Sequence, residues 1–322
     1  MSLFGSVKKR MTNQFLALIV EEKRCKVKQR VVRGDDTLFV EESTFEIESK
    51  DKLSIEVIDY INRLQEEYQH TYITLFLNTL GQGAIPTCDI EALKKFSVDK
   101  DKVKAVCVEG RYLIYGTLID IKWADKTFAD IGLDFVFSPF LVLDYFIKKD
   151  IDDEDIEIDN IMLYVLSTGN ALTVMIMKDR DLLFGSFFNI AKDENLLYTD
   201  YGESSDDIFA ELDFVEDDEL LIENLTDLDD VPGFENGEPE GKLELAEQDE
   251  RFVKYLSAAL KEFYSNDLYE SEFIQSVRIF DDVHINPNIV KYLQNELLLD
   301  VSSENVSVRN ALIDLSRKEV FR

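Results

Sequence analysis

Few side chains in this sequence have the types and spacings that carry out chemistry unaided. His70 and His284 are too few for a histidine-based metal site, and no CxxC or HxxxH spacing occurs. The loop Gly81-Gln82-Gly83-Ala84-Ile85-Pro86 is short, and no Lys-Ser/Thr follows it, so it is not a P-loop. Glu216-Asp217-Asp218-Glu219 gathers carboxylates that suit Ca²⁺, but without EF-hand spacing or a glycine at its turn. Lys94, Lys95, Lys100, Lys102 and Lys104 form a basic stretch suited to an acidic peptide or an anionic lipid surface, or to a solvated loop.

A chain of 322 residues is long for one core and suits two lobes. Its apolar fraction of 45% supports a globular body, and no apolar run reaches the roughly 18 residues of a membrane span. The N-terminus lacks the pattern of a secretory signal. Cys25, Cys88 and Cys107 are scattered and odd in number, which predicts reduced thiols in a cytoplasmic protein. The net charge is −31, and residues 193–250 hold 23 acidic side chains against Lys242 alone. Nucleic acid is thereby an unsuitable partner, because phosphate backbones demand a basic surface. The first 34 residues are basic instead, through Lys8, Lys9, Arg10, Lys23, Arg24, Lys26, Lys28, Arg30 and Arg33. Such a segment suits either a solvated strand edge or peripheral contact with a membrane.

These residues must be positioned by alternating strands and helices. Phe15–Val20, Cys25–Val32 and Leu38–Ile47 read as strands, and Asp51–Gln69 as an amphipathic helix. Tyr72–Leu80 reads as a buried strand ended by the glycine loop. After it come a short helix at Asp89–Phe96, strands at Ala105–Val108 and Tyr112–Leu118, and a helix from Lys122 stopped by Gly132. Leu133–Phe137 and Phe140–Lys149 add a strand and a helix, and the acidic run Lys149–Asp159 links the lobes. Ile161–Leu166, Leu172–Met177 and Leu182–Ile190 then make three strands joined by the turns Ser167–Asn170 and Lys178–Asp181. Residues 193–250 break the pattern as an acidic excursion, with local helices over Asp206–Leu228 and disorder over Asp229–Gly241. Glu250–Tyr264 is again an amphipathic helix, and Phe273–Val301 a strand–turn–helix.

Two hairpins followed by helical sequence resemble the start of each half of the actin-like, ribonuclease-H-like fold. Leu3-Phe4, Lys8-Lys9-Arg10 and Val27-Lys28 resemble the opening of PilM-type proteins. Leu182-Leu183-Phe184 matches a second-lobe LLF, and the phrase from Asp130 to Ile147 resembles the crossover of PilM and GspL. Asn286 to Val301 resembles their LPGLxEYL segment. The chain is thus identified as similar to the PilM/GspL branch of the actin-like superfamily: α/β and two-lobed, with a first lobe over 1–150 carrying an inserted subdomain near 88–135. An acidic link over 151–159 and a second lobe over 160–322 complete it.

The resemblance also implies where a nucleotide would be held, and the residues there have changed. Glu21 stands at an Asp position and Lys23 at a Gly, Leu166 replaces an Asp, and Thr168 stands in the second Gly loop. Asp281 and Asp282 replace a Gly pair and are expected to point carboxylates into the pocket, repelling a triphosphate. The implied function is a non-enzymatic cytoplasmic scaffold without cofactor, peripheral at the inner face of the inner membrane. Its implied partners are PilN/PilO-like single-span proteins, in a homo-oligomeric ring under a type IV pilus, a type II secretion system or a flagellar motor. The lysines 94, 95, 100, 102 and 104 are candidate partner contacts. The alternative is a weak ATPase or kinase-like enzyme using Glu21 and one of Asp281 and Asp282 on Mg²⁺.

Overall fold

The computed structural model describes residues 11–153, 160–190 and 247–322. The acidic stretch 193–246, with the local helices and disorder expected in it, lies outside them, as do most of the link to residue 159 and the basic residues 8–10.

The first sheet has the order β3-β2-β1-β4-β8. It comprises β1 (Thr12–Val20), β2 (Arg24–Arg33), β3 (Asp36–Glu46), β4 (Thr71–Phe76) and β8 (Phe135–Phe137). β1, β2 and β3 are antiparallel neighbours, whereas β4 joins β1, and β8 joins β4, in parallel. Parallel neighbours need a crossover, and α1 (Ile55–Glu67) supplies the first. Ser54 caps α1 by accepting the Val57 N–H, and Val57, Ile61 and Leu64 form its buried stripe. That stripe meets Leu16, Leu18, Val27, Ile73 and Leu75 on one face of the sheet. The crossover from β4 to β8 includes α2 (Leu118–Thr127), whose Ala124 joins the same cluster.

β9 (Ile161–Thr168), β10 (Ala171–Lys178), β11 (Asp181–Asn189), β12 (Ser276–Asp281) and β13 (Asp300–Asn305) repeat the arrangement in the order β11-β10-β9-β12-β13. The same directions recur, with β12 parallel to both β9 and β13. β10 is buried along nearly its whole length, which explains its nearly continuous apolar run. α4 (Glu247–Ser265) and α5 (Pro287–Leu297) bury Phe252, Leu256, Phe263, Ile289 and Leu293 against this sheet.

Two helices cross between the sheets. α3 (Pro139–Asp153) packs on β9 and β10, and α6 (Val308–Val320) packs on β1 and β4 and against α3. One continuous apolar cluster therefore joins the sheets, with Phe15, Ile19, Phe140, Phe146, Leu166, Met175, Phe280 and Leu312 among its members. The basic alternation of β2 has its explanation here. Arg30 donates to Asp314 on α6 at 2.8 Å and to Asn310 at 2.7 Å, and Lys28, itself buried, pairs with Glu42 at 2.8 Å. Those cations serve the packing of α6 and of β3 rather than a membrane surface.

A third sheet, β5-β7-β6, comprises β5 (Gln82–Ile85), β6 (Val103–Val108) and β7 (Tyr112–Thr117). Part of the expected glycine loop is thus a strand, so this sheet begins before residue 88. The correction has a physical reason. β5 pairs with β7, and its Ala84 lies so close to Gly185 of β11 that a Cβ there would fall 2.9 Å from the Ala84 carbonyl oxygen. Partners distant in sequence, not local propensity, make it a strand. Leu93, from a 3₁₀ turn over Ile90–Phe96, covers one face, and Ala84, Tyr112 and Ile114 on the other join the cluster between the sheets.

Reduced thiols throughout are also corrected. Cys88 and Cys107 form a disulfide with their Cα atoms 5.3 Å apart. Ile85 and Cys107 both oppose Leu113 from either side of β7, so the three residues from Ile85 to Cys88 are enough to bring Cys88 over to Cys107 on β6. Cys25 is the free cysteine; burial pushes its thiol up to about 12. Alkylation of the unfolded, unreduced chain is expected to label one cysteine and alkylation after reduction three. Three labels before reduction would rule out the bridge.

Candidate functional site

The turns that resemble nucleotide-binding loops lie at the ends of β1, β9 and β12. In the β1–β2 turn the charges pair locally: Glu21 with Lys26, and Glu22 with Lys50 at 3.1 Å. Lys23 turns away and donates to the Glu48 carbonyl at 2.8 Å. Leu166 is fully buried in the cluster between the sheets, opposite Thr173 and Phe280. The Thr168 hydroxyl donates to the Ala171 carbonyl at 3.3 Å and closes the β9–β10 turn.

Asp281 and Asp282 do not project freely into a pocket, contrary to expectation. Asp281 is 1% exposed and accepts two main-chain N–H groups, from Val283 at 2.9 Å and from Ile285 at 2.6 Å. Asp282 accepts the Val308 N–H at 2.8 Å, at the first turn of α6. Its own N–H donates to the Ser167 carbonyl at 3.0 Å. A helix start leaves N–H groups without intrahelical partners, and it favours negative charge. In anion-binding folds a phosphate can take that place. Here a side chain of the protein itself takes it.

Of the positions singled out in the sequence, the structure brings Glu21 and Asp282 near one another through Lys26, which pairs with the first and exerts its field on the second. Arg309 adds a further cation and reaches Glu42 at 2.9 Å. Lys26 and Arg309 are the site residues that sequence reasoning missed. Arg309 had one available signal, its place just after the cap residue Ser307. Among the described residues no three His, Cys, Asp or Glu side chains gather to hold a metal ion.

Burial is the largest influence on Asp282 and raises its carboxyl above the usual value; the Val308 N–H, Arg309 and Lys26 act the other way. A carboxyl raised on folding binds its proton more tightly in the folded chain, so its ionised form detracts from stability. That loss is absent below the ordinary carboxylate value, grows as pH rises toward the folded value and is complete above it. Asp282→Asn keeps an oxygen for Val308 and removes the charge. It is expected to raise stability at pH 7 and to leave it unchanged once pH falls below the ordinary carboxylate value of about 4. Denaturation of both proteins across that pH range measures it; a variant less stable at pH 7 would show that pairing with Lys26 and Arg309 outweighs burial.

The five lysines lie on the third sheet and its connections. Lys94 and Lys95 are in the 3₁₀ turn, Lys100 and Lys102 in a second one, and Lys104 on β6; all are exposed. Lys100 pairs with Glu91 at 2.6 Å and Lys102 approaches Asp99 at 3.9 Å.

Away from these turns the first lobe carries a groove of about 530 Å³ between β3 and the C-terminal end of α1. Phe39, Glu41, Arg63 and Glu67 are among its lining residues, with Val31 and Leu64 beneath.

A duplicated five-stranded order, two crossing helices and a third sheet lying between β4 and β8 in sequence decide the architecture. The fold is actin-like. A protein from Bacteroides thetaiotaomicron, described as having an actin-like ATPase fold and unknown function, is similar over 98% of this chain and 99% of its own, at 11% identity and a TM-score of 0.50. A PilM–PilN type IV pilus biogenesis complex is similar over 97% of this chain and 94% of its own, at 11% identity and 0.48. Acetate kinase from Entamoeba histolytica is similar over 95% and 99%, at 8% identity and 0.43. In sequence, the domains of unknown function DUF8569 and DUF8341 match residues 11–144 and 163–321. None of the curated proteins matches. The expectation of a non-enzyme is corrected: the similar protein from Bacteroides thetaiotaomicron is described as having an actin-like ATPase fold, so the altered turns alone do not place this chain outside the enzymes. Among the described residues no helix is long and apolar enough to cross a membrane.

Proposed function

We propose that this chain is an actin-like assembly module of the PilM kind, which receives an extended cytoplasmic tail of a PilN/PilO-like single-span inner-membrane protein on its first lobe. Copies of it would assemble as a ring beneath an envelope-spanning machine such as a type IV pilus, a type II secretion system or a flagellar motor. The observation that carries the reading is the outer edge of β3. This strand is 11 residues long and pairs only with β2 among the described residues. Its far side leaves main-chain N–H and C=O groups open, beside the groove. Such edges take up extended peptides as an added strand.

The lysine-bearing third sheet offers a basic surface suited to an anionic membrane or to an acidic stretch of the partner. The side chains of Lys94, Lys95 and Lys104 are exposed and make no hydrogen bond or ion pair among the described residues. A synthetic tail from a single-span protein encoded beside this chain tests the reading by calorimetry with the full chain. Binding with Kd near the micromolar range, about −8 kcal/mol, is expected. Absence of binding at peptide concentrations far above that range would overturn it.

A further inference from the structure

The edge of β3 has a chemical character of its own. Its residues Asp36, Glu41, Glu42 and Glu46 are acidic, and it holds no lysine or arginine. Glu42 is already engaged, by Lys28 at 2.8 Å and Arg309 at 2.9 Å, and its carboxyl is held below the usual range, chiefly by the Lys28 hydrogen bond. Asp36, Glu41 and Glu46 make no side-chain hydrogen bond or ion pair among the described residues. Between them stand Leu38, Phe39 and Val40, exposed by 54%, 46% and 47%.

The register fixes which of these face the groove. Phe39 opposes Val31 and Glu41 opposes Gln29, so both lie on the α1 face, where the groove opens. The cations of the groove have local company. Arg33 donates to the Thr12 hydroxyl at 2.8 Å, and Arg63 lies over the Tyr60 ring at 5.4 Å. Glu41 has none. The register shifts opposite Leu38, so the regular part of the edge runs from Phe39 to Glu46. A bulge of this kind protects an edge, and it leaves only that stretch open to a ladder.

Resting on the reading above, we propose that the strand received at β3 alternates basic with apolar residues: lysine or arginine on the face that carries Glu41, apolar side chains on the face that carries Val40. Opposite charges on neighbouring strands stabilise, and like charges destabilise. The same rule argues against a second copy of this chain at the edge. β3 paired with β3 in any register sets acidic residues beside a strand that has no cation to offer.

Three labelled octapeptides test this with the full chain, read by fluorescence anisotropy. One alternates Lys and Val, one alternates Glu and Val, and the third is the Lys–Val peptide N-methylated at every second residue. The Lys–Val peptide is expected to bind at least about tenfold more tightly than the Glu–Val peptide. The N-methylated form is expected not to bind, because it cannot complete the ladder. The exposed variant Glu41→Lys, confirmed as folded by its melting curve, is expected to reverse the preference. Equal binding of the Lys–Val and Glu–Val peptides, or a preference unchanged in the variant, overturns the charge assignment and leaves strand addition standing. Full binding of the N-methylated peptide overturns strand addition at β3. Failure of all three peptides to bind overturns the charge assignment; the reading of the first lobe then stands or falls on the natural tail alone.

Discussion

Phe280→Ala is expected to destabilise the chain by about 3–5 kcal/mol, among the largest effects of any single change. Phe280 is 2% exposed on β12, immediately before Asp281. Its ring stacks on Phe146 of α3 at 5.4 Å and on Tyr164 of β9 at 6.2 Å. Truncation removes a large apolar side chain and leaves a cavity that three different elements would have to collapse to fill. The space between the two sheets is thus built as core. If it were a cleft whose walls separate readily, the rings would lie partly in water and the loss would be far smaller. Chemical denaturation of the purified variant decides this, read with the slope as well as the midpoint. A loss under about 1 kcal/mol would mean that the cluster is not packed as one body.

Apart from β13, whose sequence DVSSEN has little apolar pattern and which was not read as a strand, the strands of both sheets were legible because their patterns are local. β2 alternates, β9 and β10 are nearly continuous in apolar residues, and the turns between them hold Gly or Asp. α1 was legible for the same reason, through its stripe of Val57, Ile61 and Leu64. What was not legible depends on partners far away in the chain. Gln82–Ile85 has no strand signal, and it becomes one by pairing with β7 and lying against Gly185. Cys88 and Cys107 are neighbours only because β5 and β6 flank the same strand. Arg30 looked like a surface cation, and its acidic partner Asp314 lies 284 residues on. Asp281 and Asp282 show the limit most clearly. Their acidity is visible in the sequence, but the groups they meet are main-chain N–H groups of Val283, Ile285 and Val308, which no residue type announces. A carboxylate at such a turn therefore reads as an obstruction in sequence and serves as a cap in the structure.

Arg278→Ala is expected to cost a comparable about 3–5 kcal/mol, by a different route. Arg278 lies on β12 and meets Asp150 of α3 at 2.8 Å and Glu304 of β13 at 3.1 Å. The Asp150 side chain is 4% exposed, whereas that of Glu304 is 44% exposed. The two contacts are therefore unequal. Glu304 would simply return to water, and an exposed pair contributes about 1 kcal/mol at most. Asp150 has no such recourse: it is buried, and without the guanidinium its carboxylate stays out of water with less countercharge beside it. The loss falls on the attachment of α3 to the second sheet, since Asp150 sits near the C-terminal end of that helix. Asp150→Asn discriminates between the terms. Combined with Arg278→Ala it should recover much of the stability, because the buried negative charge is gone and only the hydrogen bond and the packing of the arginine stem are missing. A double variant no more stable than Arg278→Ala alone would assign the loss to packing rather than to the stranded charge.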